Sequence, residues 1–386
     1  MEIRGDTNRP NVVVPGPKRS QLRHLRYGHS FACGRASLYS GQIERTFNRG
    51  AVQRHYRVIA LCLFAAACQS KTPGGTAAAP AVQTPTNVPA NISHGEASVG
   101  SGAAAPISAE APPRATQHLH RIRLEISNAT IVIAPNVNYD AWTFSGKVPG
   151  PFIRVTQGDT VDFTLVNKAQ MPHSMDFHAA QIAPSKYYVN VMPNDSIHYR
   201  FVALVPGAFL YHCGTSPVAA HIANGMYGAL IVDPVTPRPA AREFVFVQGE
   251  YYLSPEAPGK ARSLSWERLL NLAPDYVAFN GRVAQYAENP IAIKTGELLR
   301  LYVVNAGPNR FSAFHVVGGI FERVFVDGSQ KSPLEGVQTV AVPVGGASIF
   351  EIRLKEAGDY PFITHAFADA TKGAIGIFRA AGTGKP

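Results

Sequence analysis

The sequence predicts an all-β protein made of two tandem Greek-key β-sandwich domains. Apolar residues alternate with polar ones in short segments, for example at Ile122, Leu124 and Ile126, and again from Val161 to Leu165. This period of two is typical of strands that bury one face. Glycine and proline separate the segments at short intervals, a pattern that favours a sandwich of short strands.

An internal repeat indicates that there are two such domains. Residues 155–167 match residues 293–305 at an offset of 138, and both segments lead from a Gly-acidic pair into an apolar run that ends in Asn. Later in each half, Pro206–His212 resembles Ala357–His365. A repeat of this length indicates tandem domains rather than a solenoid.

We place the first domain at residues 118–235 and the second at residues 240–380. The chain of 386 residues is long enough to hold both domains and a leader segment. Within the second domain, one short helix is expected at Ser263–Leu272.

The segment before the domains predicts export. Val58–Ala67 is an apolar run of about ten residues, which is too short to span a bilayer comfortably, and it follows two arginines and ends at Cys68. We interpret residues 51–68 as a lipoprotein-type signal peptide, after whose cleavage Cys68 carries a lipid. Because Ala65 stands where such signals usually have Leu, an ordinary signal peptide cleaved nearby is the alternative.

Two further segments lack the composition of a folded domain. Residues 1–50 are basic, polar and without periodicity, and we expect an unstructured extension there; a true start of translation near Val52 would explain it. Residues 69–117 are rich in Ala, Pro, Gly, Ser and Thr and have too few large apolar residues to bury a core. We predict a flexible linker, so that the lipid anchor is the only membrane contact.

The net charge of +10 does not indicate a nucleic-acid-binding protein. Residues 1–57 hold eleven Lys and Arg against three Asp and Glu, whereas the remaining residues hold 25 against 23. The part expected to fold is therefore almost neutral. It lacks the excess of basic residues that binding to a phosphate backbone requires.

Cysteine use points to a metal site or a nucleophile rather than to disulfides. Of the four cysteines, Cys33, Cys62 and Cys68 lie in or before the leader, and only Cys213 lies in the domains. The domains therefore have no second cysteine for an internal disulfide. A buried inert thiol is the plain explanation for Cys213, but its histidine neighbours favour a metal ligand.

Residues that bind transition metals are concentrated in the first domain, and strand geometry sorts them into two groups. Neighbouring side chains on a strand point to opposite faces. The group expected to face the domain interior consists of His173, Cys213, His221 and Met226. Two imidazoles, a thiolate and a thioether are the ligands of a blue, or type 1, copper, which is a one-electron site. A core cysteine with incidental neighbours would leave the Cys-x7-His-x4-Met spacing unexplained.

The group expected to face outward consists of Asp176, His178 and His212. Because His212 directly precedes Cys213, one peptide unit would join the two groups and provide a short electron path. Two histidines are incomplete for a catalytic copper, so a third must come from elsewhere. His365, the counterpart of His212 in the repeat, is the natural candidate, with a subunit boundary as one route to the site.

These segments resemble those of the copper-containing nitrite reductases, two-domain cupredoxin enzymes that act as homotrimers. The matching stretches lie between about residues 120 and 380 and read HSMDFH, YHC, HIANGMYG, FNG and FHVVG. The resemblance is closest to the lipid-anchored outer-membrane branch. It implies a cupredoxin-like fold, a periplasmic or outer-membrane location, and reduction of nitrite to nitric oxide with electrons from a small cytochrome c or cupredoxin.

The same resemblance implies a ligand set for each of two coppers. The type 1 ligands would be His173, Cys213, His221 and Met226. The type 2 ligands would be His178, His212 and, donated by a neighbouring subunit, His365. Where the better-known members have a Gly-rich stretch that shapes substrate access, this chain has the different residues 179–188, although this departure touches no ligand.

Two further residues are implied as the catalytic pair above type 2 copper, Asp176 and His315. Conversion of nitrite to nitric oxide and water consumes one electron and two protons, and a carboxylate with an imidazole can deliver the protons. Val317 resembles the apolar residue that limits how nitrite sits on the metal. A structural carboxylate and a buried histidine are the plain alternatives for Asp176 and His315.

Two other functions account for less of the sequence. A laccase-like multicopper oxidase needs several His-x-His pairs and a His-Cys-His, whereas Gly214 follows Cys213 and the only His-x-His here is His118 to His120. A non-catalytic electron carrier or copper-binding lipoprotein would use only the type 1 ligands and would leave Asp176, His315 and His365 unexplained. The chain has no Cys-x-x-Cys-His, so it predicts no haem of its own.

Overall fold

The structure is a computed structural model that describes residues 106–382. The predicted extension, the signal peptide and residues 69–105 of the predicted linker lie outside the described residues. Within the described range there are nineteen strands and five short helices, so the prediction of an all-β fold is confirmed. Among these residues no helix has the length and apolar content needed to cross a bilayer.

The first half of the described chain has eight strands and two helices. The strands are β1 (Leu119–Ala134), β2 (Val137–Phe144), β3 (Ile153–Thr156), β4 (Thr160–Asn167), β5 (Asp176–Phe177), β6 (Ser196–Val202), β7 (Gly207–His212) and β8 (Tyr227–Asp233). The helices are α1 (Pro184–Tyr187) and α2 (Val218–Ala223).

The second half has eleven strands and three helices. The strands are β9 (Arg242–Tyr251), β10 (Tyr276–Phe279), β11 (Asn289–Lys294), β12 (Leu299–Gly307), β13 (Ser312–Val316), β14 (Phe321–Val326), β15 (Leu334–Val337), β16 (Thr339–Val342), β17 (Ala347–Ile352), β18 (Gly358–Thr364) and β19 (Ile375–Ala381). The helices are α3 (Trp266–Leu270), α4 (Gln285–Glu288) and α5 (Phe367–Ala370).

Both halves are sandwiches of two sheets with the same plan. The first pairs the sheet β2-β1-β4-β6 with the sheet β3-β8-β7-β5, and the second pairs β10-β9-β12-β17-β14-β15 with β11-β19-β18-β13-β16. β4 lies between parallel β1 and antiparallel β6, as β12 lies between parallel β9 and antiparallel β17. The two segments matched in the sequence therefore occupy equivalent places. The domain limits at residues 118–235 and 240–380 stay predictions.

Three apolar cores stabilise this arrangement. One fills the first sandwich around Phe163 and Phe177, and one fills the second around Phe314 and Phe362. The third lies between the halves, where residues such as Leu210 from β7 pack with residues of β9, β12 and β17. Each fully buried aromatic side chain contributes about 1.5–3 kcal/mol of transfer free energy, so these contacts fix how the strands that carry the histidines are placed.

The last part of the predicted linker does not behave as the composition suggested. Residues 107–111 run along the second sandwich, where Ala109 is buried and its carbonyl accepts the Val245 N–H at 2.7 Å. Ala111 donates to the Glu243 carbonyl at 2.9 Å. Small side chains and strand-like hydrogen bonds let this segment pack although it has few large apolar residues, which a composition argument cannot detect.

Helices were the less predictable elements. The expected helix at Ser263–Leu272 is present as α3, and the side chain of Ser265 caps it by accepting the Arg268 N–H at 3.3 Å. The other four helices have four to six residues and were not predicted. Such short helices show too little of the 3.6-residue period to be recognised. One of them, α2, carries His221.

Candidate metal centres

The interior site, defined as His173, Cys213, His221 and Met226, forms where β7 ends. Cys213 directly follows β7, and its N–H donates to the Met226 carbonyl across the gap to β8 at 3.1 Å. α2 presents His221, whose carbonyl accepts the Met226 N–H at 3.2 Å. His173 pairs with Val191 in an isolated antiparallel bridge. Local hydrogen bonds thus bring together four residues that are spread over 54 positions of the chain.

Three donor atoms of the interior site converge. The Nδ1 atoms of His173 and His221 lie 3.1 Å apart, and Cys213 Sγ lies 3.2 Å from the second and 3.8 Å from the first. All four side chains are at most 1% exposed. Burial, and for His173 also the neighbouring His221, lowers the pKa of both histidines to about 4. Both imidazoles are therefore neutral near pH 7, which is the form that binds a metal.

Groups that the sequence analysis did not identify support this site. The Ser174 N–H points at Cys213 Sγ at 3.4 Å. The indole of Trp142 lies edge-on to both imidazoles, with ring centroids 5.7 Å from His173 and 4.9 Å from His221. Trp142 comes from β2, in the opposite sheet, so no spacing along the chain relates it to the ligands.

A chain of hydroxyl groups links the loops around Cys213. Ser174 Oγ accepts the Gly214 N–H at 3.1 Å and lies 3.2 Å from Thr215 Oγ1, which in turn lies 2.9 Å from Asn190 Oδ1. Thr215 has a single proton and the Asn190 oxygen only accepts, so Ser174 donates to Thr215 and Thr215 donates to Asn190. The hydroxyl chain therefore connects three segments: the one before β5, the one after β7 and the loop that follows α1.

The outer site, defined as Asp176, His178 and His212, lies on the other face of the same strand. Asp176 in β5 is directly opposite His212 in β7, so both side chains share one face of the sheet. His178 is two residues further along, and its N–H donates to the Leu210 carbonyl at 3.1 Å. His212 Nε2 lies 3.2 Å from His178 Nε2 and 3.8 Å from Asp176 Oδ2.

The two histidines of the outer site each hydrogen-bond to the backbone. His212 Nδ1 donates to the Cys213 carbonyl at 2.9 Å, and the His178 ring hydrogen-bonds to the backbone of Gly345. If both Nδ1 atoms carry the proton, both Nε2 atoms present lone pairs. Two lone pairs at this distance repel unless a cation lies between them, so the site suits a metal ion.

The surroundings keep His178 neutral. Part of its ring reaches solvent, yet the protein around it displaces enough water to lower the pKa, and the nearby His212 lowers it further. Asp176 opposes this effect because its negative charge favours the protonated ring. The balance leaves His178 available as a metal ligand.

His315 and His365, which we call the second-half pair, lie side by side on β13 and directly after β18. The two strands are antiparallel neighbours, and the His365 N–H donates to the Ala313 carbonyl. The ring centroids of the two histidines are 5.6 Å apart. His315 Nδ1 lies 2.8 Å from the Gln338 carbonyl, a bond in which the ring donates, so its Nε2 is free to interact with a ligand.

The structure does not bring His365 to the outer site within one chain. Among the described residues, only two groups of at least three His, Cys, Asp or Glu have ligand atoms within 4.8 Å of one another: one of His173, Cys213 and His221, and one of Asp176, His178 and His212. His365 is exposed, and its ring packs on that of the exposed Phe367, with the two ring centroids 4.5 Å apart.

The donor sets fit copper. The interior site combines a thiolate, two imidazoles and a buried thioether, and soft sulfur with imidazole selects copper or zinc. His173 Nε2 is buried without a hydrogen-bond partner. The Nδ1 atom of the same ring faces His221 Nδ1 and Cys213 Sγ. The outer site offers two imidazoles, which suit copper, with the Asp176 carboxylate beside them.

Comparison with protein families and curated proteins identifies relatives. Residues 125–237 match the family model described as multicopper oxidase. The copper-containing nitrite reductase of Neisseria meningitidis serogroup B is 38% identical over 273 residues, which covers 69% of this chain and 70% of that protein. The copper-containing nitrite reductase of Pseudomonas chlororaphis is 30% identical over 299 residues, 70% of this chain and 80% of that protein.

Solved structures show the same similarity. A copper nitrite reductase from Nitrosomonas europaea superposes with a TM-score of 0.64 at 35% identity and covers 68% of this chain and 94% of that one. A copper-containing nitrite reductase from Thermus scotoductus superposes with a TM-score of 0.63 at 33% identity, over 68% of this chain and 62% of that one. The residues that hold the two sites together lie within this shared fold.

Proposed function

The chain belongs to the copper-containing nitrite reductases, and we propose that it reduces nitrite to nitric oxide with one copper at the interior site and one at the outer site. The observation that carries this proposal is the pair of sites built back to back on residues 212 and 213. In the net reaction nitrite takes up one electron and two protons, one N–O bond breaks, and nitric oxide and water leave.

The interior site would hold type 1 copper through His173, Cys213, His221 and Met226. When bound, the two coppers supply a reversible one-electron carrier and a positive centre that polarises nitrite. The chain itself contributes a dry pocket of neutral imidazoles and a Cys213 sulfur that accepts the Ser174 N–H. Packing and hydrogen bonds from several elements keep these groups in place before and after electron transfer.

The outer site would hold type 2 copper through His178, His212 and the His365 of a neighbouring copy, in a homotrimer. Each chain presents the first two histidines at one place and the third, exposed, at another. Phe367, whose ring packs on that of His365, is exposed, and so is Val344, which directly precedes the Gly345 that hydrogen-bonds the His178 ring. An interface between subunits at these places would bury both side chains.

Asp176 and His315 would supply the two protons. Asp176 lies beside His212 and partly reaches solvent, so it can take up a proton from water and pass it to a nitrite oxygen. His315 donates its Nδ1 proton to the Gln338 carbonyl, which leaves Nε2 as the atom that takes up a proton and then releases it to nitrite. Val317, exposed two residues further on, would limit the space for nitrite. Each group acts by accepting a proton and releasing it to nitrite.

The peptide unit between His212 and Cys213 would serve as the electron path. The His212 ring also hydrogen-bonds the Cys213 carbonyl at 2.9 Å, so a covalent route and a hydrogen-bonded route run in parallel. Both are short and both are fixed by the geometry of β7.

The sequence supports three further parts of the proposal. Export with a lipid on Cys68 would place the enzyme in the periplasm at the outer membrane, tethered by a linker. Domains at residues 118–235 and 240–380 would each be one cupredoxin unit. A small cytochrome c or cupredoxin would donate electrons near the interior site, since the described residues include no haem-binding motif of their own.

Copper reconstitution tests the proposed function. Purified protein loaded with copper should form nitric oxide from nitrite when a reduced donor is supplied, and electron paramagnetic resonance should show two distinct copper signals. A single type 1 signal without nitric oxide formation would instead identify an electron carrier and refute the proposal.

A further inference from the structure

A buried carboxylate in the second half has no role in the reaction proposed above. Glu250, near the end of β9, is 1% exposed. Its carboxylate accepts the backbone N–H groups of Asn309 at 3.0 Å and Arg310 at 2.6 Å, and it also accepts the Tyr252 hydroxyl. Three donors from two segments therefore converge on one acidic side chain.

A second link extends from the same turn. Arg310 Nε donates to Asp369 Oδ2 at 2.9 Å, and Asp369 is a buried residue of α5. The side chain of Asn309 donates to the Tyr252 hydroxyl at 2.9 Å and to the Leu269 carbonyl at 3.0 Å. The turn at residues 309–310 is thus fixed to β9, α3 and α5 together.

The two histidines of the second-half pair lie at the ends of these links. His315 is five residues beyond Arg310 on β13, and His365 is four residues before Asp369, between β18 and α5. Glu250 fixes the backbone that leads into β13, the strand of His315. Through the Arg310 side chain, the same turn also fixes α5, the helix that follows His365.

Retention of a charged group here costs stability. Burial, together with the nearby Asp369, raises the pKa of Glu250 to about 7 in spite of the hydrogen bonds that favour its charged form. The other ionisable groups that interact with it are Tyr227, Tyr252 and Arg310. An apolar packing of similar volume is often at least as stable as buried charges, so a positional role explains the residue better than a role in stability.

We propose that Glu250 is a positioning residue for the nitrite site. Glu250 holds His315 and His365 at their spacing through the turn at Asn309 and Arg310, and this turn is joined to α5 by the ion pair of Arg310 with Asp369. This inference rests on the proposed function for its catalytic meaning. The geometric claim itself concerns only the placement of the two histidines.

Two variants separate the two links. Glu250→Gln keeps the shape but weakens the bonds to the turn, since a neutral amide replaces the carboxylate. Arg310→Met removes only the ion pair, because Glu250 bonds the backbone N–H of this residue. Arg379→Met is a matched control, since it removes an exposed ion pair to Asp359 at the far end of β18.

The measurement is copper binding by the full protein at its two sites. For both test variants we expect the copper(II) affinity of the non-blue site to fall about 10- to 100-fold, as for other residues that orient metal ligands, with altered hyperfine splitting of that signal. The blue absorption should stay at the wild-type value, and the control should match wild type at both sites. Wild-type affinity and splitting in both test variants would overturn the proposal.

The outcomes also separate this inference from the proposed function. Copper affinity and spectra do not require nitrite, so a wild-type protein that makes no nitric oxide would refute the function and leave the positioning test intact. If Glu250→Gln does not fold, Arg310→Met alone decides: a weakened non-blue site supports the proposal, and an unchanged site overturns it.

Discussion

The side chains of His212 and Cys213 are consecutive in sequence yet belong to different sites. His212 Nε2 lies 3.2 Å from His178 Nε2, and Cys213 Sγ lies 3.2 Å from His221 Nδ1. Alternation along an extended segment separates them, because successive side chains leave a strand on opposite faces. One peptide unit is then the shortest connection between the two groups.

Because the two residues serve separate sites, their substitution should have separable effects. Cys213→Ser should abolish the blue absorption and leave the non-blue copper signal. His212→Ala should do the reverse, and both variants should lose nitrite reduction with a protein donor. Visible absorption and electron paramagnetic resonance on the same samples check this, and loss of both copper signals in either variant would contradict it.

Mixed trimers should reveal that His365 acts in a neighbouring subunit. His365→Ala and His178→Ala should each be inactive alone, since every outer site then lacks one ligand. In trimers assembled from equal amounts of the two variants, about a quarter of the interfaces combine an intact pair of His178 and His212 from one subunit with an intact His365 from its neighbour. Nitrite reduction should therefore recover to roughly a quarter of the wild-type rate per site.

Tagged subunits allow the hybrids to be isolated and their copper content to be measured. If the hybrids remain as inactive as the parents, His365 belongs to the site of its own chain or to none.

Removal of a proton donor should slow the reaction without removal of copper. Asp176→Asn and His315→Ala should lower kcat by about 100- to 10,000-fold, the range expected for general acid catalysis. Both copper signals should persist, because neither residue is a proposed ligand. Steady-state nitric oxide formation checks the rate, and variants that retain the full rate would exclude these residues as proton donors.

The hydroxyl chain beside Cys213 should contribute to stability. Thr215→Val leaves the Ser174 proton and the Asn190 oxygen without a partner and should lower the free energy of unfolding of the copper-free protein by about 1–3 kcal/mol. Thr215→Ser keeps the hydroxyl and should lie closer to wild type. Denaturant unfolding measures the difference. Equal stability of Thr215→Val and the wild-type protein would show that the hydroxyl chain does not stabilise the fold.

Glu250 should make stability depend on pH. Its pKa is raised to about 7 in the folded protein, above the value of 4.5 expected when unfolded. Its proton-linked stabilisation is therefore complete below about pH 4.5 and is lost as the pH rises through 7. Relative to wild type, Glu250→Gln should gain about 3 kcal/mol between pH 4.5 and 8.

Denaturant titrations of both proteins across this range provide the measurement. A constant difference between them at every pH would mean that Glu250 ionises alike in the folded and unfolded states.

Much of the fold followed from local pattern. Alternation of apolar residues predicted strands. The match of residues 155–167 with residues 293–305 indicated tandem domains, and the structure gives β4 and β12 equivalent neighbours. The division of the metal-type residues into two groups also followed from alternation, because adjacent positions on β7 must point apart. Short helices such as α2, and the segment at residues 107–111 that packs on the second sandwich, had no such periodic signal.

The sequence by itself determined the chemistry available: one thiolate, the histidines, their order, and the faces on which strand residues lie. Only the tertiary structure decided which distant groups meet, such as Trp142 against His221, the backbone of Gly345 on His178, and Glu250 on the turn at Asn309 and Arg310. The reason is physical. Side-chain direction along a strand is a local property of the backbone, whereas contacts between sheets and loops depend on how all the apolar surfaces pack at once.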